Sequence, residues 1–163
     1  MCAVMDRRSL LAGLTLTLAT QGAARAGAPG NVAEAFAAAL SAHDMAEFAA
    51  LFADDYVQHQ SSAAAPQLAA GVSAKQATMA YFAARLTALP DLQVTADPVV
   101  VAGDMVAANF VYTGTHKAPY FGVPPSGRQI TFNSCDILAV RQGLIAVHWG
   151  AADVAGLLKQ LHG

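Results

Sequence analysis

The stretch RQITFNSCDILAVRQGLIAVHWG, residues 128–150, contains two extended runs on either side of Gln142-Gly143. A pair of this composition suits the two-residue turn of a β-hairpin. We therefore predict one strand at 128–141 and a second at 144–150. This hairpin indicates that the second half of the chain is β-structure.

A second pair of strands is expected immediately upstream of the hairpin. Residues 92–101 form one extended run, and residues 102–104 turn it into another run at 105–116. Pro98 interrupts the first run. Because proline cannot donate a ladder hydrogen bond, we expect an edge strand or a bulge there. The second half of the chain is therefore predicted to form long antiparallel strands.

Three helices are expected ahead of these strands. Their apolar residues recur at helical spacing, and the residues that can cap them are Asn31, Asp44 and Ser73. The third helix runs to about Leu89 and stops at Pro90. A short C-terminal helix at 154–161 is capped by Asp153. This order predicts an α+β fold, in which helices cover one face of a curled antiparallel sheet and enclose a pocket.

The first 26 residues are typical of an export signal. Two arginines at 7–8 precede an apolar run at 10–19, which is short for a membrane span. Small residues then flank the arginine of 24–26, as signal peptidase requires. We predict a twin-arginine-like signal peptide at 1–26, one domain at 27–163 and a periplasmic or secreted protein. An ordinary secretory signal and an uncleaved anchor are the alternatives.

Composition predicts a folded domain without a nucleic-acid partner. The 163 residues are 55% apolar and 12% charged, which favours folding. Without residues 1–26, six Lys and Arg remain against ten Asp and Glu, a net charge of −4. This charge argues against nucleic acid, and no stable membrane anchor is expected after cleavage. Cys2 leaves with the signal and Cys135 stands alone, so no intramolecular disulfide can form.

Short motifs along the mature chain resemble one known family. In chain order they are Tyr56-x-x-His59, Gly114-Thr115-His116, FGVPPSGR at 121–128, Asp136-Ile137 and His148-Trp149. Their order and spacing are similar to those of the SnoaL-like ester and polyketide cyclases, which have the fold of nuclear transport factor 2 and ketosteroid isomerase. The resemblance implies a cone-shaped α+β domain, a reaction without a cofactor and Asp136 as the general acid/base.

Three positions depart from the family pattern. Ala139, Gln142 and Val147 stand where relatives commonly carry arginine, aspartate and glutamate. These differences remove charges near the expected mouth of the pocket. They leave the expected fold unchanged and favour a non-catalytic alternative to some extent.

Asp136 is the most informative candidate for catalysis. It stands in the middle of a strand, where burial favours the neutral acid and so favours proton exchange near neutral pH. The alternative is an outward-facing carboxylate paired with Arg141 or Lys117. Counted outward from the two-residue turn, Asp136 faces Trp149, and His148 turns to the opposite face. A bulge in either strand would reverse that arrangement.

Two further histidines are catalytic candidates, because either could donate a hydrogen bond to a substrate carbonyl and stabilise an enolate. His116 ends a strand with an apolar row, and His59 lies in an extended or turn-like segment after the second helix. A structural role is the alternative for both. The residues expected to contact substrate are Trp149, His148, Tyr56, Tyr112, Phe110 and Phe121. The chain has no HExxH motif, so we predict no metal and no cofactor.

The leading functional prediction is a cofactor-independent cyclase acting on a small hydrophobic compound that contains carbonyl groups. Asp136 would catalyse an intramolecular aldol closure, or a related isomerisation or hydrolysis. The alternative is a non-catalytic module of the same fold that binds hydrophobic ligands or partner chains. The resemblance also implies a homodimer through the outer sheet face, which Ala107, Asn109, Val111 and Thr113 would permit.

Overall fold

The structure is a computed structural model that describes residues 29–60 and 68–163. In chain order its elements are α1 (Gly30–Ser41), α2 (Met45–Ala50), β1 (Phe52–Gln58), α3 (Ala74–Ala88), β2 (Gln93–Ala102), β3 (Met105–Thr115), β4 (Gln129–Arg141), β5 (Leu144–Ala152) and α4 (Val154–His162). The predicted signal at 1–26 lies outside the described residues, so export stays a prediction. No helix within the described ranges is long and apolar enough to cross a membrane.

The five strands form one sheet in the order β1-β5-β4-β3-β2. Strands β2 to β5 pair antiparallel, as predicted, and α1 packs across β2 and β3. β1, where the sequence indicated only an extended or turn-like segment, pairs with β5 in the parallel direction. The arrangement confirms the α+β fold and makes β4, which carries Asp136, the central strand.

Local capping signals give the starts of three helices correctly. The side chains that accept hydrogen bonds from the first-turn amides are those of Asp44, Ser73 and Asp153. α1 is the exception, because it begins at Gly30 and Asn31 already lies in its first turn. Pro29 has helical backbone angles, φ −48° and ψ −36°, so it takes the cap position without a side-chain hydrogen bond.

The predictions for the turn and the edge strand are also confirmed. β2 lies at the edge of the sheet, and its register with β3 shifts between Ala96 and Val99, around Pro98. Gln142 and Gly143 have φ values of 53° and 78°. Two consecutive positive φ values are what a tight turn between right-twisted antiparallel strands requires. Local sequence chemistry therefore specifies both features.

A β-bulge interrupts the hairpin that follows the turn. Ala139 pairs with Val147 and Val140 pairs with Ile145, so Ala146 is an extra residue on β5. Both Ile145 and Ala146 are buried, whereas side chains of a regular strand would alternate. The extra residue shifts the register of the rest of the hairpin by one position.

Because of the bulge, the side chains of His148 and Trp149 lie on the opposite faces of the sheet from those predicted. Asp136 pairs with Gly150, while Trp149 pairs with Ile137 and His148 with Leu138. The prediction that Trp149 stands opposite Asp136 was therefore wrong by one residue. Because side chains alternate along a strand, His148 shares the face of Asp136 and Trp149 points to the other face.

The inner face of the sheet and the helices enclose a core rich in aromatic rings. Ring centroids lie 4.6 to 6.4 Å from that of Phe36, and the rings belong to Phe48, Phe52, Phe82 and Phe110. The outer face is different, since it exposes Val57, Ile137 and Trp149. The expected homodimer through this face stays a prediction.

Candidate active site

Asp136 lies on the inner face of β4, and only 4% of its surface is exposed. It pairs with Ala108 on one side and Gly150 on the other. The alternative of an outward carboxylate paired with Arg141 is wrong, because Arg141 instead forms an ion pair with Asp55. Asp136 is therefore an interior acid on the central strand.

Two polar side chains contact the Asp136 carboxylate. Ser134 lies two residues away on the same face, and its hydroxyl donates to Asp136 Oδ1 at 2.5 Å. His148 Nε2 lies 3.3 Å from Asp136 Oδ2, and both side chains are at most 9% exposed. The distance suits an ion pair, but the direction of the ring nitrogen does not meet hydrogen-bond geometry. The imidazole therefore lies beside the acid with Nε2 still free to donate or accept.

Gly150 allows the Asp136 carboxylate and the His148 ring to lie close to the backbone of β5. A Cβ atom at Gly150 would lie 2.6 Å from Asp136 Oδ1 and 2.9 Å from His148 Nε2. Both distances are shorter than carbon–oxygen and carbon–nitrogen contacts allow, so any other residue would displace the carboxylate or the ring. Glycine is needed here for close approach, since its φ is not positive.

Tyr56 adds a hydroxyl group to the acid end of the interior. Only 4% of the residue is exposed, and the hydroxyl has no hydrogen-bond partner of good geometry among the described residues. Burial raises the pKa of the Tyr56 phenol, the charge of Asp136 raises it further, and the neighbouring Thr78 hydroxyl opposes part of the shift. The phenol therefore stays protonated at neutral pH and available as a donor.

Two predicted site residues lie on the outer face instead. Trp149 is 39% exposed. His59 is also exposed, and its ring stacks on the indole with centroids 5.2 Å apart and planes 11° apart. For Trp149 the bulge at Ala146 is the reason, because it turns this part of β5 over. The structure therefore does not bring His59 or Trp149 to Asp136.

His116 is fully buried on the inner face but lies far from Asp136. Asp136 pairs with Ala108, and His116 follows eight positions later, so the two are separated by roughly 26 Å along the strand. His116 Nδ1 accepts from the Ser126 backbone N–H and contacts the Ser126 hydroxyl at 3.1 Å. These contacts hold the segment before β4, which gives His116 a structural role at that end. Its Nε2 has no partner in the described part of the chain.

The remaining aromatic candidates line the interior between these ends. Phe110 and Tyr112 are at most 1% exposed, and Tyr112 stacks on Phe132 with centroids 5.0 Å apart. Burial raises the pKa of the Tyr112 phenol. Phe121 is half-buried and packs against Tyr120, with ring centroids 4.7 Å apart. These side chains give the interior an apolar, aromatic wall.

Sequence reasoning missed a buried arginine. Arg85 on α3 is 4% exposed, and it donates from Nε to the Tyr120 hydroxyl at 2.9 Å and from Nη2 to the Tyr81 hydroxyl at 2.5 Å. Its position in the buried stripe of α3, with Thr78 and Phe82, is a helical-spacing signal that could have identified it. Ser134 was recognisable too, since it shares strand parity with Asp136, but no sequence signal identified Gly150.

Comparison with known proteins agrees with the observed fold. The SnoaL-like polyketide cyclase family matches residues 30–161. Wild-type IdmH from Streptomyces antibioticus, which has been proposed to be a polyketide cyclase, is 27% identical over 84% of this chain and 100% of its own, with a TM-score of 0.72. TsrD from Streptomyces laurentii is 27% identical over 80% of this chain and 92% of its own, with a TM-score of 0.69.

A third solved structure is similar in fold alone. AclR from Streptomyces galilaeus, which has been proposed to be a hydroxylase, is 21% identical over 82% of this chain and 95% of its own, with a TM-score of 0.71. The search among curated proteins found no match. Because the family match spans most of the chain and agrees with the observed fold, this protein belongs to the SnoaL-like polyketide cyclase family.

Proposed function

We propose that the protein is a cofactor-independent acid/base enzyme that closes a ring in a small hydrophobic carbonyl compound. The observation that carries this proposal is the buried pair of Asp136 and His148, with His148 Nε2 3.3 Å from Asp136 Oδ2. Buried ionisable groups are costly to maintain for packing alone and concentrate at functional sites.

In the first step Asp136 removes a proton from a carbon next to a substrate carbonyl. Ser134 donates to one carboxylate oxygen and fixes its orientation, and lone pairs remain to accept the proton. The electron pair of the broken C–H bond forms an enolate. The absence of a side chain at Gly150 lets the carboxylate keep this position against the backbone of β5.

Tyr56 is the group best suited to stabilise the enolate. Its hydroxyl is buried and unpaired within the described residues, and its raised pKa keeps the proton on the phenol. A donor held in a water-poor interior stabilises developing negative charge more than the same donor in water. His148 Nε2 can act in the same way when it carries the proton.

In the second step the enolate carbon attacks another carbonyl carbon of the same molecule. A carbon–carbon bond forms, the carbonyl π-electrons move to oxygen, and the protonated Asp136 returns its proton to the new alkoxide. The atoms of substrate and product are the same, so no oxidant or second substrate is needed. An isomerisation would use the same first step and return the proton to a different carbon.

The test is deuterium incorporation into 2-tetralone, a ketone with acidic C–H groups, in D₂O. We expect Asp136→Asn to lower the exchange rate by about 10²- to 10⁴-fold, because the proton acceptor is lost. Asp55→Asn is the matched control, since Asp55 is exposed and its ion pair with Arg141 lies away from the site. Equal rates for Asp136→Asn and the wild type would contradict the proposal.

A non-catalytic binding module is the second candidate. Ala139 and Val147 favour it, since neither supplies the charge that relatives commonly carry at the corresponding positions. This function predicts that Asp136→Asn retains ligand affinity and that the wild type shows no exchange above the buffer rate. The same two measurements therefore separate the candidates.

A further inference from the structure

Arg85 is a cation buried in the protein interior without an acidic partner. It is 4% exposed, and no described carboxylate lies within ion-pair distance of its guanidinium. A guanidinium has five N–H donors, and the interior hydrogen bonds described above use two of them, to Tyr120 and Tyr81. A buried charge of this kind is costly unless an anion neutralises it.

Aromatic rings surround the guanidinium on several sides. Its central carbon lies 4.5 Å from the ring centroid of Tyr112, 4.8 Å from Tyr81, 4.9 Å from Phe82 and 5.1 Å from Phe132. Ring faces attract a cation and offset part of its lost hydration. They supply no negative charge, so the cluster as a whole remains positive.

The phenols add donors to this positive cluster. Burial raises the pKa of Tyr120 to about 12, although Arg85 opposes the shift, so its hydroxyl keeps its proton at neutral pH. Tyr81 and Tyr120 each accept a hydrogen bond from Arg85 and keep an O–H of their own. A fork of N–H groups with two O–H groups beside it is suited to the two oxygens of a carboxylate.

The position of the cluster relates it to the acid. Arg85 lies over Tyr112 and Phe132, which stack on each other, and Asp136 follows Phe132 by four positions on the same face of β4. Four residues of a strand span roughly 13 Å. The cationic cluster beside Phe132 and the acid therefore lie at different positions along the inner face of β4.

We propose that Arg85, Tyr81 and Tyr120 form a subsite that binds a carboxylate of the ligand. A ligand anchored there would extend along β4 from the side of Phe132 towards Asp136, and these two residues are roughly 13 Å apart along the strand. The inference rests on the proposed function for the reaction at Asp136, and it names the substrate class as a ketone that carries a carboxylate at its far end. Binding of the carboxylate itself does not depend on that reaction.

The test is calorimetric binding of 2-naphthoate and of its uncharged analogue 2-naphthamide. We expect the wild type to bind 2-naphthoate about 10- to 100-fold more tightly than the amide, as charge-assisted hydrogen bonds allow. Arg85→Met is expected to remove this preference and leave the amide affinity unchanged. Thermal unfolding will confirm that the variant folds, because an apolar residue of similar volume often replaces a buried charge without loss of stability.

A milder variant keeps the proposal testable if Arg85→Met does not fold. Tyr81 is half-buried, and Tyr81→Phe removes one hydroxyl while keeping the ring. We expect it to weaken 2-naphthoate binding by about 3- to 10-fold and to leave the amide unaffected. No detectable 2-naphthoate binding to the wild type, or equal affinity for the acid and the amide, overturns the proposal. An undiminished preference in Arg85→Met or in Tyr81→Phe also overturns it.

Asp136→Asn distinguishes failure of the subsite from failure of the proposed reaction. We expect this variant to bind 2-naphthoate like the wild type and to lose exchange of 2-tetralone. Exchange with no preference for the carboxylate overturns the subsite and leaves the reaction intact. Preference for the carboxylate that disappears in Asp136→Asn overturns the assignment of binding to Arg85.

Discussion

His148 and Trp149 are neighbours on β5, yet the two faces of the sheet give them different surroundings. His148 lies against the Asp136 carboxylate in the interior, whereas Trp149 stacks on His59 at the surface. The inner face holds polar atoms that find no hydrogen-bond partner among residues 29–60 and 68–163, and the outer face holds a solvated aromatic pair. The comparison shows that one bulge residue, Ala146, decides which of two adjacent side chains meets the acid.

Deletion of Ala146 tests what the bulge contributes to the inner face. Without the extra residue, Ile145 would still pair with Val140 and Val147 with Ala139, so His148 and Trp149 would keep their faces while β5 loses the bend at the bulge and one buried methyl group. We expect the free energy of unfolding to fall by about 2–4 kcal/mol. Urea denaturation measures it.

Ala146→Gly is the matched control for that deletion, since it keeps the residue count and the bulge. It should cost about 1 kcal/mol, through the flexibility of glycine. A deletion variant as stable as this control would show that the bend at the bulge does not contribute to stability.

Gly150→Ala tests the inner face alone. Its Cβ would lie 2.6 Å from Asp136 Oδ1, so the acid or His148 must move. We expect exchange of 2-tetralone to fall about 100-fold and the free energy of unfolding to fall by about 1–3 kcal/mol. Ala151→Val on the exposed side of the same strand should change the unfolding free energy by less than about 0.5 kcal/mol. A wild-type exchange rate in Gly150→Ala would contradict the need for glycine at this position.

His59→Ala tests the outer face. It removes the ring stacked on Trp149, and aromatic pairs of this kind contribute about 0.5–1.5 kcal/mol. We expect the free energy of unfolding, measured by urea denaturation, to fall by an amount within that range. The exchange rate of 2-tetralone should remain that of the wild type. A loss of exchange comparable to that of Asp136→Asn would return His59 to the catalytic site.

The smallest effect on stability is expected at the exposed carboxyl of Asp91, which serves as a reference for the buried carboxyl of Asp136. Asp91 accepts hydrogen bonds from the Thr115 hydroxyl and backbone N–H, each at 2.6 Å, and these bonds lower the pKa of Asp91. Its stabilising contribution is therefore complete above the unfolded-state pKa and is lost as pH falls through the folded-state pKa. Solvent exposure limits the effect to less than about 1 kcal/mol.

Thermal unfolding of the wild type and Asp91→Asn between pH 7 and pH 2 checks this sign. The difference in Tm should be largest at neutral pH and should shrink below about pH 4, where the unfolded carboxyl gains its proton. A difference that grows towards acid pH would contradict it.

Much of the fold could be predicted because its signals are local. Asp44, Ser73 and Asp153 cap helices through their own side chains, and Gln142-Gly143 specifies its turn through two positive φ values. No local signal in the sequence indicates the bulge at Ala146. Ile145, Ala146 and Val147 are all apolar, so the sequence does not show which of them is doubled, and only packing of the whole hairpin decides it.

The site could be predicted only where strand alternation held. Asp136 was placed by its position within β4, whereas Trp149 and His148 depended on the register beyond the bulge. His59 was placed only by its position after the second helix. Arg85 was missed for another reason, since helices were interpreted through their apolar residues. A charged residue at helical spacing within an apolar stripe is a usable signal, because burial of a guanidinium needs a specific cause.

The strand order has a consequence for hydrogen exchange and for how specificity can change. β4 has a bonded neighbour on each side and is third of five, so its amides should exchange only when the whole domain opens. Asp136 therefore lies on the strand whose backbone amides are expected to exchange most slowly. Arg85 lies on α3, which is not part of the sheet. Substitutions on this helix can therefore accumulate without disrupting the hydrogen bonds between strands. We therefore expect substitutions on α3 to change the proposed carboxylate subsite without moving Asp136.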